Sequence, residues 1–199
     1  MKLFYIYRNS LENQNGVFLL LSANDKSSRN GSKHWYALQT KPRQEFKAEK
    51  QLKNLGLENY LPVIIKKNKW SDRIKEITEP IIRGYIFIKS SEPERLIALE
   101  QFSISKCLFD HGKPAVIPDW QIENLKKMLK VESEYFVYEG LVTGTKVEII
   151  QGPFSGVIGI IQSTSEKRMF AVSIELLNRT VIAHLPKDNI EVLHLSEVK

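Results

Sequence analysis

The sequence predicts an α+β chain in two parts, an α/β sandwich followed by a small all-β module. Three observations carry this. From His34 to about Lys130, short strand-like runs are interleaved with stretches whose apolar residues recur at helical spacing. After Thr143 the helical spacing disappears, and five short alternating runs follow one another between turn residues. Charge divides in the same place: residues 33–130 carry 19 Lys and Arg against 12 Asp and Glu, whereas residues 131–199 carry 6 against 9. A basic first part and an acidic second part imply different electrostatic partners.

Residues 1–32 run into linker composition (Ser22 to Ser32) and are expected to be a disordered extension. His34–Thr40 reads as a strand. Lys41-Pro42 opens a helix to about Leu55, with Ala48, Leu52 and Leu55 on one face and Gly56 as its stop. Asn59 to about Lys69 is predicted to be one strand, turned by Trp70-Ser-Asp-Arg73 into Ile74–Thr78. Arg83–Lys89 is rich in β-branched and aromatic residues and is strongly strand-like. Glu92-Pro93-Glu94 starts a helix to about Gln101, with proline in the first turn and acids on the positive dipole end. A strand over Ile104–Phe109 follows, then a helix capped by Asp119 and carrying Ile122, Leu125 and Leu129. The order β-α-β-β-β-α-β-α is close to a ferredoxin-like sandwich.

Residues 131–143 are expected to be a linker, in which Tyr135-Phe-Val-Tyr138 is too apolar to stay solvated and docks on one of the domains. Runs at Lys146–Ile150, Val157–Gln162, Met169–Leu176, Thr180–Leu185 and Ile190–Leu193 then describe a small SH3-like barrel over residues 144–199. Within it Gly152-Pro153 reverses the chain, and Gly156 and Gly159 permit a bulge or a close backbone approach. Phe154, after the turn, is expected to plug the barrel.

Composition excludes several functions. The single cysteine, Cys107, cannot form an intrachain disulfide, and with four scattered histidines it cannot supply zinc-ligand spacing. The apolar run Val17–Leu21 is far short of a membrane span. No phosphate-cradling glycine loop, nucleophile elbow or metalloprotease helix is present. The expectation is a cytoplasmic, monomeric binding protein with no cofactor, no metal and no catalysis.

Four segments in order resemble the NusG family of transcription elongation and antitermination factors. They are Trp35-Tyr-Ala-Leu-Gln-Thr-Lys-Pro42, Glu79-Pro-Ile-Ile-Arg-Gly-Tyr-Ile-Phe87, Gly112-Lys-Pro-Ala-Val-Ile-Pro118 and the hairpin from Gly144 to Ile161. The last resembles a KOW motif; the first three belong to an NGN domain over residues 33–130. Trp70-Ser-Asp-Arg73 and Glu79-Pro80 look more like specialised, RfaH-like paralogues than the housekeeping factor. The family departs from this chain at Arg83, where proline is usual.

The resemblance implies that the NGN domain docks on the β′ clamp helices of RNA polymerase through Trp35, Ala37, Gln39, Ile81, Ile82, Tyr85 and Phe87, and suppresses pausing. The alternative for Tyr85 and Phe87 is sheet core. It also implies that Lys41, Arg43, Gln44, Lys47, Lys50 and Gln51 contact the displaced non-template DNA strand; a solvated helix face is the alternative. Leu177, Asn178 and Arg179 match the loop that meets the ribosomal protein NusE or the termination factor Rho, with Leu177 expected at an exposed tip. A ribosome-associated RNA-binding KOW protein, or a Rho-linked housekeeping factor, is the competing function.

Overall fold

The computed structural model describes residues 31–69, 74–163, 168–185 and 191–194. The expected N-terminal extension through Asn30, the turn Trp70–Arg73 and most of the turn Ser163–Lys167 lie outside them. From Gly31 onward the chain is one compact unit. In chain order its elements are β1 His34–Thr40, α1 Glu45–Asn54, β2 Glu58–Tyr60, β3 Val63–Lys69, β4 Ile74–Pro80, β5 Tyr85–Ser90, α2 Glu92–Leu99, β6 Ile104–Cys107, β7 Phe109–Asp110, β8 Lys113–Pro114, β9 Val116–Ile117 and α3 Asp119–Met128. There follow β10 Tyr135–Glu139, β11 Thr145–Gln151, β12 Ile158–Ser163, β13 Arg168–Ile174, a 3-10 turn Glu175–Leu177, β14 Arg179–His184 and β15 Glu191–His194.

The first sheet has the order β2-β5-β1-β6, with β9 also paired to β1. Antiparallel register sets Trp35 opposite Lys89, Ala37 opposite Phe87 and Gln39 opposite Tyr85. Because side chains alternate along a strand, these residues share one face and Tyr36, Leu38, Ile86 and Ile88 share the other. The second set joins Ala48 and Leu52 of α1 and Ala98 of α2 in one buried cluster. The helix α2 begins with a capping box, in which the Ser91 backbone N–H donates to Glu94 Oε2 at 2.9 Å.

The strand expected from Asn59 to Lys69 is two strands. Glu58–Tyr60 pairs with β5, whereas Val63–Lys69 pairs with β4 as a separate two-stranded ribbon. Pro62 has no N–H with which to continue the ladder, and its carbonyl accepts the Ile81 N–H at 2.9 Å.

The second sheet has six strands in the order β10-β14-β13-β12-β11-β15. Five occupy the predicted runs. The sixth, β10, comes from the expected linker: Tyr135–Glu139 pairs antiparallel with β14, Phe136 opposite Ile182 and Glu139 opposite Arg179. Its apolar residues dock by adding a strand. Phe154 is buried in this sheet's core, its ring 6.1 Å from that of Phe170.

Gly159 is a close-approach glycine. A Cβ there would stand 2.5 Å from the Ala171 carbonyl oxygen and 2.6 Å from Phe170 Cζ. Gly159→Ala must displace a core phenyl ring or separate β12 from β13. We expect it to destabilise the fold by about 2 kcal/mol, read as a lowered urea midpoint with unchanged slope. A midpoint equal to wild type would refute this account of the close approach.

Candidate functional site

The sheet face carrying Trp35, Ala37 and Phe87 was expected to be open. It is buried: Trp35 is 1% exposed, Ala37 and Phe87 0%, and Ile81 and Ile82 are buried beside them. Of the seven residues assigned to polymerase, Gln39 and Tyr85 are half-buried. One cluster explains this, because Ile122, Leu125 and Met128 of α3 and the interior of the second sheet belong to the same core as Trp35, Ala37 and Phe87.

The helix α3 is therefore covered on two sides. Its buried residues are Gln121, Ile122, Asn124, Leu125 and Met128, a wider stripe than the apolar positions alone indicate. Gln121 and Asn124 are polar and almost wholly buried. Asn124 Oδ1 accepts the Ile158 N–H at 3.2 Å, and Gln121 Oε1 accepts the Glu175 N–H at 3.3 Å. Lys127 Nζ donates to the Gly156 carbonyl at 2.8 Å. These bonds join α3 to the second sheet without any strand pairing between the two sheets.

One cation and two tyrosines complete the joint. Lys126 Nζ lies 4.6 Å from the Trp35 ring centroid and 5.5 Å from that of Tyr60. Tyr60 stacks with Phe87 at 6.3 Å between centroids. The Tyr135 hydroxyl contacts the carbonyl oxygens of Met128 at 2.6 Å and Val131 at 2.5 Å. Burial pushes the Tyr135 hydroxyl up to about 12. Burial, with Glu123 and then Tyr135 nearby, also raises Tyr60.

Beside this joint a groove of about 430 Å³ runs between Ile81, Ile82 and Arg83 on one side and Tyr135, Phe136 and Val137 on the other. Gly84, which follows Arg83, takes at φ +80° a conformation glycine reaches without strain. The Gly84 N–H donates to buried Glu45 Oε1 at 2.9 Å, and its carbonyl accepts the Thr40 N–H. Arg83 pairs with Glu79 at 3.2 Å, and Lys66 pairs with the same carboxylate. Lys66 first, then Arg83, hold Glu79 below the usual carboxylate range against its partial desolvation.

The residues assigned to nucleic acid are divided. Arg43, Lys47 and Lys50 are exposed and Lys41 is half-exposed. Gln51 Oε1 accepts the Ser103 N–H at 3.2 Å, and Gln44 Oε1 is buried, so neither carbonyl is presented to a base edge. At the other end of the chain Leu177 is buried, not exposed: the 3-10 turn folds it into the core shared with Ile174 and Val181. Asn178 is exposed at φ +49°, and Arg179 pairs with Glu139 at 3.0 Å. Cys107 is buried, and burial pushes its thiol up.

Sequence reasoning missed Gln121, Asn124, Tyr60 and Tyr135. The available signals were the apolar character of Tyr135–Tyr138 and the uninterrupted apolar run Tyr85-Ile-Phe-Ile88, the pattern of a strand covered on both faces.

A family model described as transcription termination factor NusG matches residues 33–126, from the start of β1 through most of α3. Among solved structures 27 chains match. One, titled "Domain interaction in Thermotoga maritima NusG", is 19% identical, covers 80% of this chain and 96% of that one, and has a TM-score of 0.43. No curated protein matches the chain. No helix among the described residues is long and apolar enough to cross a membrane.

The tyrosines of the joint give a pH prediction. A hydroxyl whose folded pKa lies above its unfolded value of 10.0 stabilises the fold while protonated. That contribution is complete below pH 10 and is lost as pH rises toward about 12. We expect the urea midpoint to fall across that interval, and to fall less steeply in Tyr135→Phe. Identical slopes in the two proteins would sink the assignment to Tyr135.

Proposed function

We propose that this NusG-type protein binds RNA polymerase through the sheet face of Trp35, Ala37, Gln39, Ile81, Ile82, Tyr85 and Phe87, and suppresses pausing or termination in its target operons. The observation that carries the proposal is the cover on that face. A single sheet with two apolar faces needs two covers. Here the second is completed by a separate six-stranded module, joined through side-chain-to-backbone hydrogen bonds of Gln121, Asn124 and Lys127. Such bonds exchange readily with water, so the face can be vacated without breaking a strand ladder. On this reading the β′ clamp helices take the place of the departing module. The released module is then free to meet a ribosomal or regulatory partner through the turn at Asn178.

Removing the joint tests this. Gln121→Ala with Asn124→Ala deletes two acceptors, and each hydrogen bond is worth roughly 0.5–1.5 kcal/mol. The separated form should rise by about tenfold, and capture of polymerase by the tagged full-length chain should rise with it. Adding Tyr85→Ala in that background should abolish the gain. Unchanged capture in the double variant, or a gain that survives Tyr85→Ala, would refute the docking face. A termination assay with and without Rho gives the sign: longer transcripts follow from the proposal, shorter Rho-dependent ones from a termination role.

A further inference from the structure

The edges of the two larger sheets are guarded unequally. An edge strand offers a row of free backbone N–H and C=O groups to any other chain, and charges, prolines or bulges usually block it. Exposed Glu58 stands on β2, exposed Lys106 on β6 and exposed Glu191 on β15. The remaining edge strand, β10, has no such guard. Tyr135-Phe-Val-Tyr138 carries no charge and no proline, yet Phe136, Val137 and Tyr138 are 50%, 38% and 51% exposed. Glu139, at the strand end, is neutralised by Arg179 at 3.0 Å.

Ladder parity fixes which backbone groups of β10 are free. In an antiparallel pair, alternate residues bond the neighbouring strand and those between them point away from it. The Gly140 N–H donates to the Asn178 carbonyl at 2.8 Å, one step beyond Glu139 opposite Arg179. Phe136 and Tyr138 therefore bond β14, while Tyr135, Val137 and Glu139 turn their N–H and C=O groups outward. Among the described residues no strand pairs with that side. The same three residues line the groove of about 430 Å³, across which stand Ile64, Ile81 and Ile82. Charge along this groove is uneven. Lys66 and Arg83 share the Glu79 carboxylate, whereas Arg179 has that of Glu139, so a positive charge is left over near Arg83.

We propose that an extended peptide segment of a partner protein adds to β10 as a seventh strand, apolar at alternate positions and acidic where it passes Arg83. Tyr135, Val137 and Glu139 supply main-chain hydrogen bonds, which give affinity, and alternate side chains of the peptide give specificity. Ile64, Ile81 and Ile82 receive its apolar residues, and the surplus cation selects the acid. A helical segment cannot pair here, because its main-chain groups are already bonded to one another. The groove has one wall from each sheet, so the site belongs to the joined form. The inference does not depend on where polymerase docks.

Selection of a displayed library of random twelve-residue peptides on the full-length chain tests it. The expected result is enrichment of alternating apolar sequences with an acid, and loss of the acid in a selection on Arg83→Glu. A selected peptide, synthesised and labelled, is then titrated by fluorescence anisotropy. Val137→Pro removes an outward donor and leaves the β14 ladder whole, and should weaken binding about tenfold. Thermal melting establishes that the variant is folded. Amide exchange of the wild-type chain decides the matter even where it is not: bound peptide should slow exchange at Val137 and Glu139 and leave Tyr138 unchanged. The proposal is overturned if no peptide is enriched, if the acid is still selected on Arg83→Glu, if the Val137 and Glu139 amides exchange as before, or if folded Val137→Pro binds like wild type. A dimer in sedimentation that Val137→Pro abolishes would assign the edge to a second copy of the chain and overturn the proposal as well.

Discussion

The helix α3 has two buried sides of different chemistry, and the arrangement of the chain depends on that. One side supplies Ile122 and Leu125 to the apolar cluster beneath which Trp35 and Phe87 lie. The other presents Gln121 and Asn124, whose carbonyl oxygens take backbone N–H groups from the second sheet. An all-apolar second side would bury more area but would fix neither register nor orientation. Two amide acceptors aimed at two particular N–H groups do both, and unmade bonds at buried positions are costly. The helix thus places its apolar residues in the core common to both sheets and is tied by polar contacts to the second.

That asymmetry bears on how the chain can rearrange. The first sheet carries its own cover on the face packed by α1 and α2, with Leu38, Ile86 and Ile88 fully buried there. The opposite face shares an apolar core with the other module, and the polar contacts that cross between them are ones water can replace. Lys126 over Trp35, Lys127 on the Gly156 carbonyl and the Tyr135 hydroxyl on the end of α3 are all of this kind. Breaking a strand ladder exposes a row of unpaired backbone groups at once. Separating the two sheets breaks no strand ladder among the described residues, but it uncovers the apolar core they share.

The sequence reveals the elements more readily than the joint, for physical reasons. Strands and helices announce themselves by local periodicity, and the runs at His34–Thr40, Arg83–Lys89 and Val157–Gln162 were legible on that basis. Pro62 is a signal that the reading of Asn59–Lys69 as one strand passes over, because proline inside a strand run removes a ladder donor. Burial of the Trp35 and Phe87 face was half-legible, since Tyr85-Ile-Phe-Ile88 lacks the alternation of a strand open on one side. Gln121 and Asn124 gave no such signal: a buried amide and a solvated amide look alike in a sequence. Leu177 failed for the converse reason, as an apolar residue at a turn can fold inward once a 3-10 turn redirects it.

Charge placement completes the argument. Several basic residues between positions 33 and 130 are matched by acids, as in Lys89 with Asp119 and Lys126 with Glu123. Surface pairs of this sort contribute little stability each, so their absence at Lys41, Arg43, Lys47 and Lys50 costs the fold almost nothing. What changes is the field, because four uncompensated cations on α1 and the turn before it leave a positive potential that pairing would have cancelled. The residues that make this patch lie on α1 and its flanking turns, and none belongs to the cluster shared with the second module. The basic surface and the apolar face are therefore separate: separating the two modules would uncover one and leave the other unaltered.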